Sequence, residues 1–537
     1  MSPCTPRLLP GLPALLLLAL PLIADPKADE KKARFPVLLQ TLKGHTNGVY
    51  YVVFSPDGKY VATCGRDRTA RLWEHAPGKE VKKYEGTEEA FYSVALSPDG
   101  AVLATAGEDA KVRLYETASG KLLRTCEGHS TDVYHVGFHP GGELLVSTGS
   151  DKTVRVWERA TGKERHVLRG HTDRVLGLAF APDGRLVTSC GTRNSGSDHG
   201  GEVKVWDVAN GLEMYSITDK AQGVLTVAVS ADGKRLAGAC LDGTIRLWEL
   251  ATGKVAMELT GHRTEVDKDR KIADVYSVAF SPDGRFLASC SGDWNAGRTG
   301  TVRLWDLATG KEAANLSGFE APIWRVAFSP DGRRLAAAAG HFRKNQAGEV
   351  RIWDISGLPR PELPVPTAKE LETLAADVSG ADAAKAYRAV WVLSLAPKEA
   401  MPLLEKHAQP LKKSPLERIP QWIKDLDDDD FQTRETASAE LEKLGKAAFP
   451  ALREALRKAK EAERAEIIRR AEELLAKKHE GPTITPEELK LLRLIEVCQH
   501  LGTADVRPLL ERLARGPAAS QVTQHARTAL ARMKKGM

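Results

Sequence analysis

The chain has 537 residues, 42% of them hydrophobic and 28% charged, a balance that excludes a collagen-like, wholly disordered or polytopic membrane protein. The length has room for roughly three domains or one large repeat array. Seventy-seven basic against 71 acidic residues leave a net charge of only +6, too slight a surplus to form a nucleic-acid footprint, so no nucleic-acid partner is expected. At the N-terminus a single cation, Arg7, precedes an apolar run from Leu8 to Ala24, followed by the charged stretch DPKADEKK. This is the layout of a secretory signal. The run is 17 residues long and is broken by Pro10, Pro13 and Pro21, whereas a spanning helix needs about 20 residues without such breaks. Residues 1–24 therefore read as a signal peptide, cleaved after Ala24. This predicts an exported chain, periplasmic or secreted, with no membrane span after signal removal; an uncleaved membrane anchor is the alternative. Cys64, Cys190, Cys240 and Cys290 read as one apolar repeat position on different structural units. They are expected to be packed thiols, so cysteine usage does not decide the compartment.

From residue 36 onward the chain repeats. The tetrapeptide SPDG or a close variant begins at Ser55, Ser97, His139, Ala181, Ser230, Ser281 and Ser329, and each is followed by an aromatic: Trp73, Tyr115, Trp157, Trp206, Trp248, Trp305 and Trp353. Those aromatics lie 42, 42, 49, 42, 57 and 48 residues apart. Between them run short alternating segments such as VYSVAF and TVRLW, bounded by PDG, DG and ATGK. Each unit thus reads as four short strands joined by three hairpins. These residues resemble the WD-repeat β-propeller family, in an exported bacterial form that carries a helical tail. The resemblance implies a seven-bladed β-propeller over residues 36–355. It also implies a hydrogen-bonded lock in each fully matching blade: His45, Thr63, Asp67 and Trp73 in the first, and His129, Ser147, Asp151 and Trp157 in the third. The second blade departs with Thr87 and Tyr115, the fifth lacks the histidine but keeps Asp242 and Trp248, and the seventh has Phe319 instead. Those blades are expected to hold by packing. The last repeat ends after Trp353 without an outermost strand, and residues 35–45 have that strand's pattern. They are predicted to pair with the last blade and close the ring, removing two open sheet edges.

The period breaks in a patterned way. The usual 18 residues from SPDG to the aromatic become 25, 24 and 24 in the fourth, sixth and seventh blades, and the usual 24 from aromatic to next SPDG become 33 before the sixth. Calling the strands of a blade a to d from the inside outward, the excesses fall in b–c turns at 191–200, 292–300 and 340–348 and in a d–a connection at 263–273. Because strands alternate in direction, these loops all emerge on one face, and insertions gathered on one face of a repeat array mark a binding surface. They carry Arg193, His199, Arg263, Lys268, Arg270, Trp294, Arg298, His341, Phe342 and Arg343, with Asp198, Asp267, Lys271 and Lys344 beside them, mixed in charge and cationic on balance, and Trp and Arg are residues that dominate protein interfaces. Five residues before each SPDG stand Tyr50, Tyr92, Tyr134, Leu176, Leu225, Tyr276 and Trp324. The five aromatics among these, Tyr50, Tyr92, Tyr134, Tyr276 and Trp324, form the predicted partner-binding set with the loop residues, unless the rings pack between blades and the loop aromatics merely anchor their loops.

After Pro359, Pro361, Pro364 and Pro366, which suggest a stiff linker over 356–366, residues 367–537 turn to Ala, Leu, Glu, Lys and Arg with helical periodicity. The stretch DDDDFQTRETASAELEKLGKAAFPALREAL resembles a HEAT-type helical pair, and LGTADVRPLLERLA is a weaker instance. A short stack of helix pairs is expected, with a plain helical bundle as the alternative. The fold class is thus multidomain β + α: a seven-bladed β-propeller followed by an α-helical HEAT-like (α-solenoid) domain. Catalytic signatures are missing. The GK pairs at Gly78, Gly120, Gly162, Gly253 and Gly310 lack the preceding glycine and following Ser or Thr of a phosphate loop. Asp425, Asp427 and Asp429 lack the Gly and Glu of a calcium loop, and no GxSxG, HExxH or paired CxxC occurs. No catalytic residue, metal or cofactor is expected. The reading is a non-catalytic protein–protein interaction scaffold, a monomer within a complex whose partners the sequence does not identify. A divergent enzyme or small-ligand binder using the central pocket around Trp324, Trp294 and His341 is the alternative.

Overall fold

In the computed structural model the described residues are 36–86, 88–191, 201–218, 223–262, 274–292, 299–342, 345–358, 366–410, 415–444, 448–462, 464–476, 484–501, 503–517 and 520–534. The expected signal peptide, the whole 263–273 insertion and most of the 191–200 and 292–300 insertions lie outside them. Seven four-stranded antiparallel sheets form the propeller, as the repeat implies. In the first blade strands a to d are Val49–Phe54, Tyr60–Gly65, Ala70–Glu74 and Lys79–Tyr84. β-branched and aromatic residues fill the inner strands because both faces of each blade are covered by its neighbours. One apolar cluster joins Val49, Val52, Val61 and Trp73 of the first blade to Ala336, Ala338, Val350 and Ile352 of the last.

The SPDG turn explains its own recurrence. Ser55 Oγ–H donates to Asp57 Oδ1 (2.6 Å) while the Tyr60 N–H donates to Ser55 Oγ (2.9 Å), and Gly58 N–H closes the turn on Ser55 O (2.9 Å). Gly58 sits at φ +72°, a left-handed conformation that glycine adopts without strain. Ring closure is a matter of pairing. Val37–Leu42 lies antiparallel to Glu349–Asp354, with Val37 opposite Asp354 and Leu42 opposite Val350, so the first strand of the chain is the outermost strand of the last blade.

One expectation needs correcting. The four repeat cysteines do not share a position. Cys64 and Cys290 stand opposite Tyr51 and Ser277, whereas Cys190 and Cys240 stand one step further along, opposite Val175 and Val224. In the fourth blade the a–b turn is a residue shorter, with the Ala181 N–H bonding Arg185 O where Ser55 N–H bonds Tyr60 O, so the same count from SPDG puts Cys190 one rung on; in the fifth the turn has the ordinary length, Ser230 N–H to Arg235 O, and Cys240 simply stands one residue later in the sequence. All six cysteines among the described residues are buried.

Ten α-helices follow among the described residues: α1 Ala368–Ser379, α2 Ala383–Leu395, α3 Pro397–His407, α4 Ile419–Asp425, α5 Phe431–Leu444, α6 Phe449–Glu461, α7 Ala465–Ala476, α8 Pro486–Leu501, α9 Arg507–Leu513 and α10 Gln521–Lys534. α1 begins with a capping box in which Thr367 and Glu370 satisfy each other's backbone N–H. Consecutive helices do not stack in one row. α1–α3 share a core with α8–α10 through Leu393, Leu404, Ile495, Leu510 and Ala526, while α4–α7 enclose their own around Trp422, Leu441, Leu452 and Leu474. α8, which packs against α2, is buried nearly all round: Leu491, Leu492, Leu494, Ile495 and Val497 are buried, and so are the charged Arg493 and Glu496. Among the described residues no helix is long and apolar enough to cross a membrane. Of the connector, residues 359–365 lie outside the described residues; Leu358 packs with the last blade. Residues 36–537 form one compact unit, and α2 makes the junction by inserting Ala383, Tyr387 and Trp391 among Leu247, Ala256, Trp305 and Leu307 of the propeller.

Candidate interaction face

All seven residues that precede SPDG by five occupy the same structural feature. In every blade the register between strands a and b slips at this point, between Val49 and Tyr51, Phe91 and Ser93, Val133 and His135, and so on to Ile323 and Arg325. Tyr50, Tyr92, Tyr134, Leu176, Leu225, Tyr276 and Trp324 are the extra residues of seven β-bulges, which re-aim a side chain out of the pleat. Five of them join into an unbroken aromatic arc. Tyr134 stacks on Tyr92 (5.5 Å between centroids), Tyr92 meets Tyr50 (5.8 Å), Tyr50 meets Trp324 edge-on (5.7 Å), and Trp324 meets Tyr276 (4.8 Å). Phe342, from the seventh-blade insertion, packs on both Tyr50 (5.7 Å) and Trp324 (6.1 Å), and the Arg66 guanidinium lies over it (5.6 Å).

The arc is held by polar ends as well as faces. Tyr92 O–H donates to Glu108 Oε1 (2.5 Å) and Trp324 Nε1–H to Gly340 O (2.7 Å). Burial pushes the Tyr50 and Tyr92 phenols above their usual range, and Glu108 raises both further, so they stay protonated donors. His341 is buried, and the remaining predicted partner residues Arg193, His199, Arg263, Lys268, Arg270, Trp294, Arg298 and Arg343 lie outside the described residues. One position further along strand a, Tyr51 of the first blade hydrogen-bonds His135 of the third (Oη to Nε2, 2.5 Å), and Arg325 of the seventh sits over the Tyr51 ring (4.3 Å). Burial, with Arg325 adding to it, holds His135 far below the usual imidazole range, so it is neutral. Beyond this layer a cavity of about 400 Å³ runs along the inner strands of the first, fourth, fifth, sixth and seventh blades.

The histidine locks of the first and third blades carry no open chemistry. His45 Nδ1 lies 2.9 Å from Asp67 Oδ2 and Nε2 lies 2.8 Å from Thr63 Oγ1, which also accepts Trp73 Nε1–H (2.8 Å). His129, Asp151, Ser147 and Trp157 repeat this at 3.0, 2.8 and 2.8 Å. Burial works to raise the Asp67 carboxyl, but the His45 and Thr69 bonds outweigh it and hold the group below the carboxylate range.

Sequence reasoning missed two variants. In the fourth blade the acid is Glu202 at the start of strand c, 3.1 Å from His171 Nδ1. In the sixth, His262 bonds Ser289 (2.7 Å), which accepts Trp305 Nε1–H (2.8 Å). Also unforeseen is a cation two residues before each closing aromatic, which in the first and fourth blades ties the lock acid to strand d: Arg71 reaches Asp67 (3.3 Å) and Glu80 (2.7 Å), and Lys204 reaches Glu202 (2.9 Å) and Glu213 (3.1 Å). The RLW, RVW, KVW and RIW triplets carried that signal.

The helices dock on the opposite face, against the a–b turns. Arg235, just after the fifth-blade turn, forms a bidentate pair with Glu496 of α8 (3.0 and 3.0 Å). Arg493 of α8 forms another with Glu249 (2.6 and 2.8 Å) and also donates to Val378 O (2.9 Å) and Gly380 O (2.6 Å). Trp391 stacks on His500 (4.3 Å). A cavity of about 280 Å³ remains between the fifth- and sixth-blade turns and α2, α8, α9 and α10. Two clusters among the described residues bring three potential metal donors together: His171, Cys190 and Glu202, and Asp232, Glu496 and His500. In the second, Arg235 already takes both Glu496 oxygens, and Asp232 Oδ1 accepts from Ser230 Oγ–H (2.5 Å) and the Lys234 N–H (3.1 Å).

Seven sheets closed by the first strand, with Trp–Ser/Thr–His–acid locks in three blades and a Trp–Ser–His set in a fourth, define a closed β-propeller of the locked-repeat class. The family model "WD domain, G-beta repeat" matches residues 36–74, 78–116, 120–158, 162–207, 212–249, 253–306 and 310–354, more than half of the chain. The chain belongs to the WD40 repeat family, whose members typically serve as protein-interaction scaffolds and are usually non-catalytic. Similar proteins include Autophagy-related protein 16 of Arabidopsis thaliana, 23% identical over 22% of this chain and 29% of that protein. An uncharacterised WD repeat-containing protein of Synechocystis is 42% identical over 12% of this chain and 18% of its own length. COMPASS component SWD3 of Saccharomyces cerevisiae is 32% identical over 20% and 32%. The matched stretches thus cover no more than about a third of these curated relatives.

Proposed function

We propose that this protein is a non-catalytic scaffold that holds a protein partner on the face bearing the bulge aromatics and the long b–c and d–a loops. The observation that carries this is the division of labour between faces: the described helical contacts use the a–b turn side, while the arc from Tyr134 to Tyr276, with Phe342 over it, lies at the other end of the inner strands. Aromatic rings held in place by their neighbours lose little conformational entropy on binding and suit hot spots. The HEAT-type reading of α4–α7 as a second partner surface, and export directed by residues 1–24, belong to the same proposal. N-terminal sequencing of the mature protein tests the latter. For the binding face, the full chain carrying Tyr134→Ala and Phe342→Ala is compared with wild type in affinity capture from a cell extract. Partners recovered by wild type are lost by the variant while the melting temperature stays within a few degrees. Equal recovery by both chains removes the case for this face.

A further inference from the structure

The fourth blade departs from its neighbours in a way that the lock alone does not require. In the third blade the acid on the lock histidine is Asp151, in the b–c turn, and the residue opposite Val133 is Gly149. In the fourth, the acid is Glu202 from the start of strand c, and the residue opposite Val175 is Cys190. The acid thus comes from strand c, and a cysteine stands beside it where the third blade has a glycine. We infer that His171, Cys190 and Glu202 form a binding site for a divalent transition-metal ion of the zinc type.

The donor geometry supports this reading. Glu202 Oε2 lies 3.1 Å from His171 Nδ1 and 3.6 Å from Cys190 Sγ, with all three donor atoms within 4.8 Å of one another. Zinc bonds of about 2.0–2.1 Å to nitrogen and oxygen and about 2.3 Å to sulfur give tetrahedral edges of about 3.3 Å and about 3.5 Å respectively. The ion therefore needs shifts of only a few tenths of an ångström on the two measured edges. The supporting shell is present. Lys204 holds the other carboxylate oxygen, Oε1 (2.9 Å), which leaves Oε2 to face the histidine and the thiol. His171 Nε2 lies 2.6 Å from Thr188 Oγ1, which also accepts Trp206 Nε1–H (2.7 Å). Ligating histidines are oriented by such a bond from the second ring nitrogen.

The protons balance. In the metal-free lock the neutral imidazole carries its hydrogen on Nδ1, facing Glu202. On binding, that hydrogen moves to Nε2 and is donated to Thr188 Oγ1, while Nδ1 takes the metal. Cys190 gives up its thiol proton to solvent, so one proton is released per ion bound. Thiolate and carboxylate together neutralise the ion's two charges, and Lys204 keeps Glu213 as a counter-ion (3.1 Å). Burial and the Glu202 charge push the Cys190 thiol up to about 11, so affinity rises steeply with pH.

The test uses the full chain stripped by chelator and titrated with Co²⁺ at mildly alkaline pH. A near-ultraviolet thiolate-to-cobalt charge-transfer band saturates at one equivalent and is displaced by Zn²⁺. Cys190→Ser abolishes the band, while Cys240→Ser, at the same rung of the fifth blade, leaves it intact. Cys190 is no member of the lock, so its serine variant retains the wild-type melting temperature without metal; Zn²⁺ raises the melting temperature of wild type and not of that variant. No band in wild type, or a band that survives Cys190→Ser, overturns the inference.

Discussion

Replacing Arg493 by Met breaks the most thoroughly desolvated polar contact between propeller and helices. Arg493 is 1% exposed and Glu249 is 3% exposed. The guanidinium makes two bonds to the carboxylate and two more to Val378 O and Gly380 O. Methionine fills much of the volume but strands a buried carboxylate that retains only Thr252 Oγ–H (2.8 Å) and Arg235 at 3.9 Å. Breaking a buried pair by removing one partner costs about 3–5 kcal/mol, most of it the uncompensated charge. For a cooperative unit of roughly 170 residues, with about 2 cal/mol/K of unfolding entropy per residue, 4 kcal/mol corresponds to a fall of about 10 °C in melting temperature. Differential scanning calorimetry of the full chain reads this as an early transition of the helical region. The double variant Glu249→Met/Arg493→Met regains most of the loss, since two apolar groups replace a charge pair at little net cost. A fall below about 2 °C for Arg493→Met alone, or no recovery in the double variant, refutes the claim that this pair fixes the junction.

Three further outcomes follow. Trp73→Phe removes the indole donor to Thr63 and costs about 1 kcal/mol more in urea unfolding than Trp353→Phe, whose blade offers Ala337 in place of the hydroxyl; equal costs deny the lock bond any weight. His500 is held down to about 4, first by burial and then by Lys234 and Arg235 against Asp232 and Asp283, from an unfolded value near 6.5. Between those values the unfolded chain binds the extra proton, so this contribution is intact above pH 6.5 and falls by about 3 kcal/mol toward pH 4. A His500→Gln variant whose stability drops just as steeply over that window contradicts the assignment. Tyr51→Phe leaves His135 Nε2 buried without its partner and lowers stability by about 1–3 kcal/mol, read as a shift in the urea midpoint; an unchanged midpoint shows the bond to be idle.

The propeller was legible because each blade repeats a local device. Ser55, Asp57 and Gly58 specify a turn within four residues, and Trp73 finds Thr63 across a single hairpin. The seven bulge residues could be picked out by counting from SPDG, although the bulge itself has no composition of its own. Glu202 was hidden because the lock acid had moved from turn to strand. The register of Cys190 slipped where a turn shortened by one residue. The helical docking was not readable at all. Glu249 occupies the rung held by Glu74, Glu116 and Glu158 in other blades, opposite the first residue of strand b. Only contact with Arg493, 244 residues away, makes it a buried charge.

Three blades lack the lock histidine, and the helices grip one of them; the second keeps a hydroxyl at the same rung, Thr105, and ties Tyr115 Oη–H to Glu85 O (3.3 Å). The fifth has neither the histidine nor the hydroxyl, since Gly238 stands at the rung of Thr63 and Ser147, and the seventh has Phe319 and Ala337 in their places. The seventh is secured by topology, because the first strand of the chain closes it. The fifth has no such closure, and it is the blade that α8 grips at both Arg235 and Glu249 while α2 packs Tyr387 and Trp391 beneath it. A blade short of internal hydrogen bonds is thereby stabilised from outside through groups that repay desolvation only when paired. Because that support comes from the a–b turn side, the described helical contacts leave the aromatic mouth free, and the stability of the ring does not have to be supplied by whatever binds there.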